Sequence, residues 1–107
     1  MTNAEIRIKV AESLGMTGVW PGGYWNGRDA SGKLILIPNY PESLDACAEM
    51  VKSFTYEEAD EFADHLCDIC KRDNDLADNP APWRFAVTNA TPLQRCLAYL
   101  KTKGLIP

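Results

Sequence analysis

No stretch of this chain approaches the roughly 20 consecutive apolar residues that a membrane-crossing helix needs. The N-terminal MTNAEIRIKVAESLG interrupts its apolar residues with charges, so it offers no continuous core for a secretory signal. A reducing cytoplasm is the expected location, and the sequon Asn89-Ala90-Thr91 reads as accidental. Histidine occurs once, as His65. It is the only imidazole available as a general base, and spacing places no serine or cysteine to partner it. Glycine is present, but Gly22, Gly23, Gly27 and Gly32 precede neither a helix start nor a lysine-serine pair, so no phosphate cradle is encoded. These absences predict a protein that is not an enzyme and that carries no cofactor.

What is present suits one small domain over residues 1–107. The chain is 46% hydrophobic and 24% charged, a globular balance that buries a core without metal or disulfide staples. Thr2 and Glu5 have capping-box spacing, and Ile6, Val10 and Leu14 recur on one helical face before Gly15. Gly18–Trp20 and Lys33–Ile37 read as strands joined by a decorated loop, the second strand short, apolar and of the buried kind. Pro41 opens a helix whose Leu44, Cys47, Ala48 and Val51 share one side. Thr55 and Glu58 cap the clearest helix, from about Tyr56 to Arg72. Trp83, Phe85 and Val87 alternate as in a half-buried strand after the polar loop of residues 73–82. Thr91-Pro92-Leu93-Gln94 is a third capping box, leading to a stripe of Leu93, Cys96, Leu97 and Leu100 that Gly104 terminates. The order α-β-β-α-α-β-α predicts an α+β fold, with about four helices on a small, largely antiparallel sheet.

The net charge of −4 conceals a strong polarity. Residues 41–78 hold twelve acids against three bases, a net −9, so the rest of the chain is +5. The acids of the long helix, among them Glu57, Glu61, Asp64 and Asp68, fall on the side opposite its apolar stripe. This face is the expected partner-binding surface, and the expected partner is a basic protein. The basic residues Arg7, Lys9, Arg84, Arg95, Lys101 and Lys103 are too dispersed to form a groove, so nucleic acid is not the expected partner, nor is a membrane.

His65-x-Cys67-x-x-Cys70 has the look of a metal motif, but a helix turns His65 about 200° from Cys67 and 140° from Cys70, so the three diverge. No metal is expected. All four cysteines lie on apolar faces, which predicts structural thiols reached by reagents only on unfolding. A second candidate surface is the glycine-rich loop bearing Trp20, Tyr24, Trp25 and Arg28, residue types suited to stacking on a small ligand or a base.

Three further stretches carry a family likeness. They are Ile8-Lys9-Val10-Ala11-Glu12-Ser13-Leu14-Gly15, then Ile37-Pro38-Asn39-Tyr40 leading into Leu44-Asp45-Ala46-Cys47-Ala48-Glu49-Met50, and finally Ala90-Thr91-Pro92-Leu93-Gln94-Arg95-Cys96-Leu97-Ala98-Tyr99-Leu100. In that order the chain resembles the phage ABA-sandwich domains, small bacteriophage and prophage proteins. Asn39 stands where that family often has aspartate. The matching residues are packing and capping residues, and none is catalytic. The resemblance implies a single three-layer α/β/α sandwich, a phage or prophage origin, and residence in a bacterial cytoplasm. With catalytic sites eliminated, the expected function is that of a non-catalytic accessory protein whose acidic face binds a basic host or phage protein.

Overall fold

The computed structural model describes residues 1–73 and 86–107. Helix α1 (Asn3–Ser13) starts where the Thr2 hydroxyl accepts the Glu5 amide at 3.1 Å, and it buries Ile6, Val10 and Ala11. Gly15, at φ +88°, turns the chain into strand β1 (Thr17–Trp20). β1 pairs antiparallel with β2 (Asn26–Arg28), which pairs antiparallel with β3 (Leu34–Leu36). A 3-10 turn (Tyr40–Glu42) follows, then α2 (Leu44–Met50), α3 (Tyr56–Asp73), a helical stretch at residues 86–88, and α4 (Pro92–Thr102). The fold is α+β, a small α/β sandwich, as expected. No helix among the described residues is long and apolar enough to cross a membrane.

The strands depart from expectation. The loop between the two expected strands contains the central strand of the sheet, β2. Its Asn26-Gly27 pair is a turn signal in sequence, yet Asn26, Gly27 and Arg28 face Leu36, Ile35 and Leu34 across the ladder. Backbone pairing on both sides, not apolar alternation, makes this segment a strand. A Cβ on Gly27 would lie 3.1 Å from both Ile37 Cδ1 and the Thr17 carbonyl, so glycine lets the layers close there. The apolar run at residues 34–37 is not a buried strand. Ile37 is buried, but Leu34 and Leu36 point outward. The strand expected at Trp83–Val87 lies outside the described residues up to residue 85, and residues 86 and 87 are helical, not extended.

Two apolar clusters form the core, and α4 belongs to both. Its Cys96, Tyr99 and Leu100 pack with Ile6, Val10, Ile37, Tyr40, Cys47 and Met50. Its Ala98 packs with Leu66, Ile69, Cys70 and Ala90. The Tyr99 hydroxyl lies 2.8 Å from the Ser13 hydroxyl, and Phe54 stacks on its ring at 5.6 Å. The expected capping box is complete: Thr91 Oγ1 accepts the Gln94 amide and Gln94 Oε1 accepts the Thr91 amide. At the other end the Leu105 amide reaches the Leu100 carbonyl at 2.9 Å, with Gly104 at φ +69°.

Two substitutions should separate packing from capping in α4. Leu100→Ala removes a fully buried side chain and should cost about 2–5 kcal/mol. Thr91→Ala should cost about 1 kcal/mol. Urea unfolding monitored by circular dichroism measures both, and equal losses would contradict α4 as the shared core element.

Candidate functional site

The long helix places the acidic candidates as its periodicity requires. Leu66, Ile69 and Cys70 of α3 are buried, whereas Glu57, Asp60, Glu61, Asp64 and Asp68 are exposed. At 100° and 1.5 Å per residue, these five carboxylates occupy an arc of about 100° and a length of about 16 Å. Among the described residues none of them forms an ion pair; the three pairs present are Lys52–Glu49, Arg72–Asp73 and Lys103–Glu58. Lys71 and Arg72 bring positive charge only in the last turn. Tyr56, Ala59 and Ala63 of α3 are also exposed, although helical phase puts them on the apolar side of the helix.

The aromatic loop does not hold its four candidates together. A bulge with Gly18 at φ +58° gives β1 one extra residue between its pairings of Thr17 with Arg28 and Trp20 with Asn26. Trp20 and Arg28 thus share the outward face of the sheet with Leu34 and Leu36. Trp20 is 65% exposed, Tyr24 83%, Leu34 61% and Leu36 72%. Arg28 is committed locally, donating to the Gly32 carbonyl at 2.9 Å. Trp25 turns away: it is half-buried against the first core cluster, with the Arg7 guanidinium 4.2 Å from its ring centroid. Arg7 also donates to the carbonyls of Ile37 and Pro38, so Trp25 belongs to packing. Sequence periodicity could not show this, since loop residues carry no phase.

A third constellation escaped the sequence reading altogether. Leu44, Cys47, Ala48 and Val51, expected as the buried side of α2, instead line a groove of about 250 Å³ with Phe62 and Arg95. The helix buries Ala46, Cys47 and Met50, one step around from the expected face. Cys47 therefore stands between core and groove. Its Sγ donates to the Tyr40 carbonyl at 3.3 Å and lies 4.0 Å from Cys96 Sγ, buried on α4. The hydrogen bond from Cys96 holds the Cys47 thiol below its usual range, against the upward push of burial and with help from the Arg95 charge. The same hydrogen bond, burial and the Cys47 charge push Cys96 upward. Forty-nine residues separate the two cysteines, and no local spacing signals their meeting.

The remaining thiols differ from one another. Cys70 is buried, with Sγ 3.8 Å from the Ala86 carbonyl and from Gln94 Oε1, and burial raises it first, with Asp73 adding to the effect. Cys67 is only half-buried, which corrects the expectation that all four cysteines are enclosed. The inner side of α3 meets α4 through Cys70, and Cys67 falls at its margin. None of the four is in a disulfide, and among the described residues no three histidine, cysteine or acidic side chains gather as metal ligands.

No protein-family model, curated protein or solved structure matches this chain.

One charged contact joins the acidic helix to the core. Lys103 donates to Glu58 at the start of α3, and this bond, followed by the Thr55 amide, holds the Glu58 carboxyl below its ordinary value of 4.5. A lowered folded value stabilises above pH 4.5, and that contribution is lost as pH falls through the depressed value. Lys103→Met should therefore melt below wild type at neutral pH, with the difference shrinking at an acid pH below the depressed Glu58 value, where Glu58 is protonated. Thermal scans at both pH values check it; a gap independent of pH would assign the effect of Lys103 to its contacts with Phe54 and Tyr99.

Proposed function

We propose that this chain is a non-catalytic accessory protein that binds a basic protein through the outward carboxylates of α3, Glu57, Glu61, Asp64 and Asp68, with Asp60 beside them. The observation that carries the reading is the unrelieved charge on that face. Like charges one helical turn apart cost roughly 0.2–0.5 kcal/mol per pair, and Glu57/Glu61, Asp60/Asp64 and Asp64/Asp68 are three such pairs. None of these acids caps the helix or joins an ion pair among the described residues. Glu58, by contrast, both caps the helix and pairs with Lys103. A cationic partner surface would relieve the repulsion and be steered toward it. The resemblance to phage ABA-sandwich proteins supports a phage or prophage origin and a bacterial cytoplasm as the setting.

The outward face of the sheet favours a second reading. Trp20, on the same sheet face as Leu34 and Leu36, and Tyr24 in the adjoining loop present large apolar side chains to solvent, the property that marks recognition surfaces. A small planar ligand or an unstacked base is the chemistry that face would take.

One set of variants separates the two. Replacing the four acids as Glu57→Gln, Glu61→Gln, Asp64→Asn and Asp68→Asn should leave the fold intact and raise its stability by a few tenths to about 1 kcal/mol. In affinity capture from bacterial lysate, the basic proteins held by the wild type should fall at least about tenfold with this variant and elute early in salt. An unchanged captured set would overturn the acidic-face reading. Loss of capture in Trp20→Ala with Tyr24→Ala, together with a tryptophan fluorescence change on titration with oligonucleotide, would move function to the sheet.

A further inference from the structure

The groove between α2, α3 and α4 brings together features that no single element explains. Cys47 and Arg95 are among the residues that line it, and Leu44, Val51 and Phe62 complete it. Behind Cys47, 4.0 Å away, is a second thiol, Cys96, which is fully buried. Arg95 is held in place by its own bonds, Nε to the Ala90 carbonyl at 3.1 Å and Nη2 to the Thr88 carbonyl at 3.4 Å. A largely buried cysteine (3% exposed) at the edge of a groove that an arginine also lines, with a second thiol 4.0 Å behind it, is the arrangement of a cysteine pair that can close to a disulfide.

We propose that Cys47 and Cys96 are a redox dithiol that a hydroperoxide entering this groove converts to a disulfide. In the first step the Cys47 thiolate attacks one peroxide oxygen. An S–O bond forms, the O–O bond breaks, and the leaving oxygen takes a proton and departs as water or an alcohol. Cys47 is then a sulfenic acid, oxidised by two electrons, and the peroxide is reduced by two. In the second step Cys96 sulfur attacks Cys47 sulfur: the S–S bond forms, the S–O bond breaks, and the hydroxide leaves as water with the Cys96 proton. Arg95 stabilises the attacking thiolate as a positioning residue. The two sulfurs must approach by about 2 Å to reach bonding distance. A disulfide sulfur has no proton to donate, so Cys47 loses its bonds to the Tyr40 carbonyl at 3.3 Å and the Pro92 carbonyl at 3.6 Å, which tie α2 to the 3-10 turn and to the start of α4. Oxidation would thus be felt at the junction of α2 with the core.

Peptide mapping of native protein after limited hydrogen peroxide, with remaining thiols alkylated, tests the assignment directly. The expected result is loss of alkylation at Cys47 and Cys96 together, a crosslinked pair of peptides in their place, and recovery of both with dithiothreitol. Cys96→Ala should stop the reaction at the first step, leaving a sulfenic acid at Cys47 that dimedone traps. Arg95→Gln should shift the pH profile of Cys47 alkylation to higher pH, which a purely structural arginine would not do. Should either variant fail to fold, the wild-type map still decides. Oxidation confined to Cys67, a disulfide pairing Cys47 with any other cysteine, or a Cys47–Cys96 bond that forms only after unfolding would each overturn the proposal.

Discussion

Helix α4 is enclosed on two sides, and that double burial is the constraint on which the other elements depend. A surface helix of a small domain ordinarily buries one stripe. Here Cys96, Tyr99 and Leu100 serve one cluster while Ala98 serves the other. Tyr99 shows how tight the arrangement is. Its hydroxyl is satisfied by Ser13 of α1 and its ring is covered by Phe54 at the entrance to α3. One side chain thereby fixes the spacing of the first and third helices. The small side chain of Ala98 lets α3 approach closely, which is why the helix pair can bury Leu66, Ile69 and Cys70.

That packing also decides which surfaces are left for other molecules. Because α3 turns its buried residues toward α4, its carboxylates must face away, and the charge stays in water where it costs least. Because α2 rolls to bury Ala46 and Met50, its remaining apolar side becomes the wall of an open groove. The sheet makes a third surface. Val19, Gly27 and Ile35 lie on its inner side, and the bulge in β1 aligns Trp20 with the outward-facing leucines of β3. Acidic stripe, dithiol groove and aromatic sheet face are each by-products of how the core closes.

The helices were legible because their signals are local. Threonine caps at Thr2, Thr55 and Thr91, the last two as complete capping boxes, begin helices where expected, since a cap involves residues three apart. The acidic face of α3 was legible for the same reason: 18 residues at 3.6 per turn define two sides without reference to anything else. The strands were less legible, because three-residue strands are too short for alternation to show. β2 is a strand only because both neighbours pair with it. The stripe read along α4 named Cys96 and Leu100 but passed over Ala98 and Tyr99, as any single stripe must on a helix buried twice.

The sequence by itself determined where the helices begin, the amphipathic character of α3, the segregation of acidic charge and the absence of a membrane-length apolar run. All are properties of neighbours along the chain, governed by capping, helical period and composition. Only the tertiary structure decided that Trp25 is packed under Arg7 while Trp20 is exposed, that Leu34 and Leu36 face solvent, and that Cys47 meets Cys96 beside Arg95. These depend on which faces of separate elements close on one another. Sequence periodicity gives each face its phase, but the contact between two faces is set by the shared burial of both.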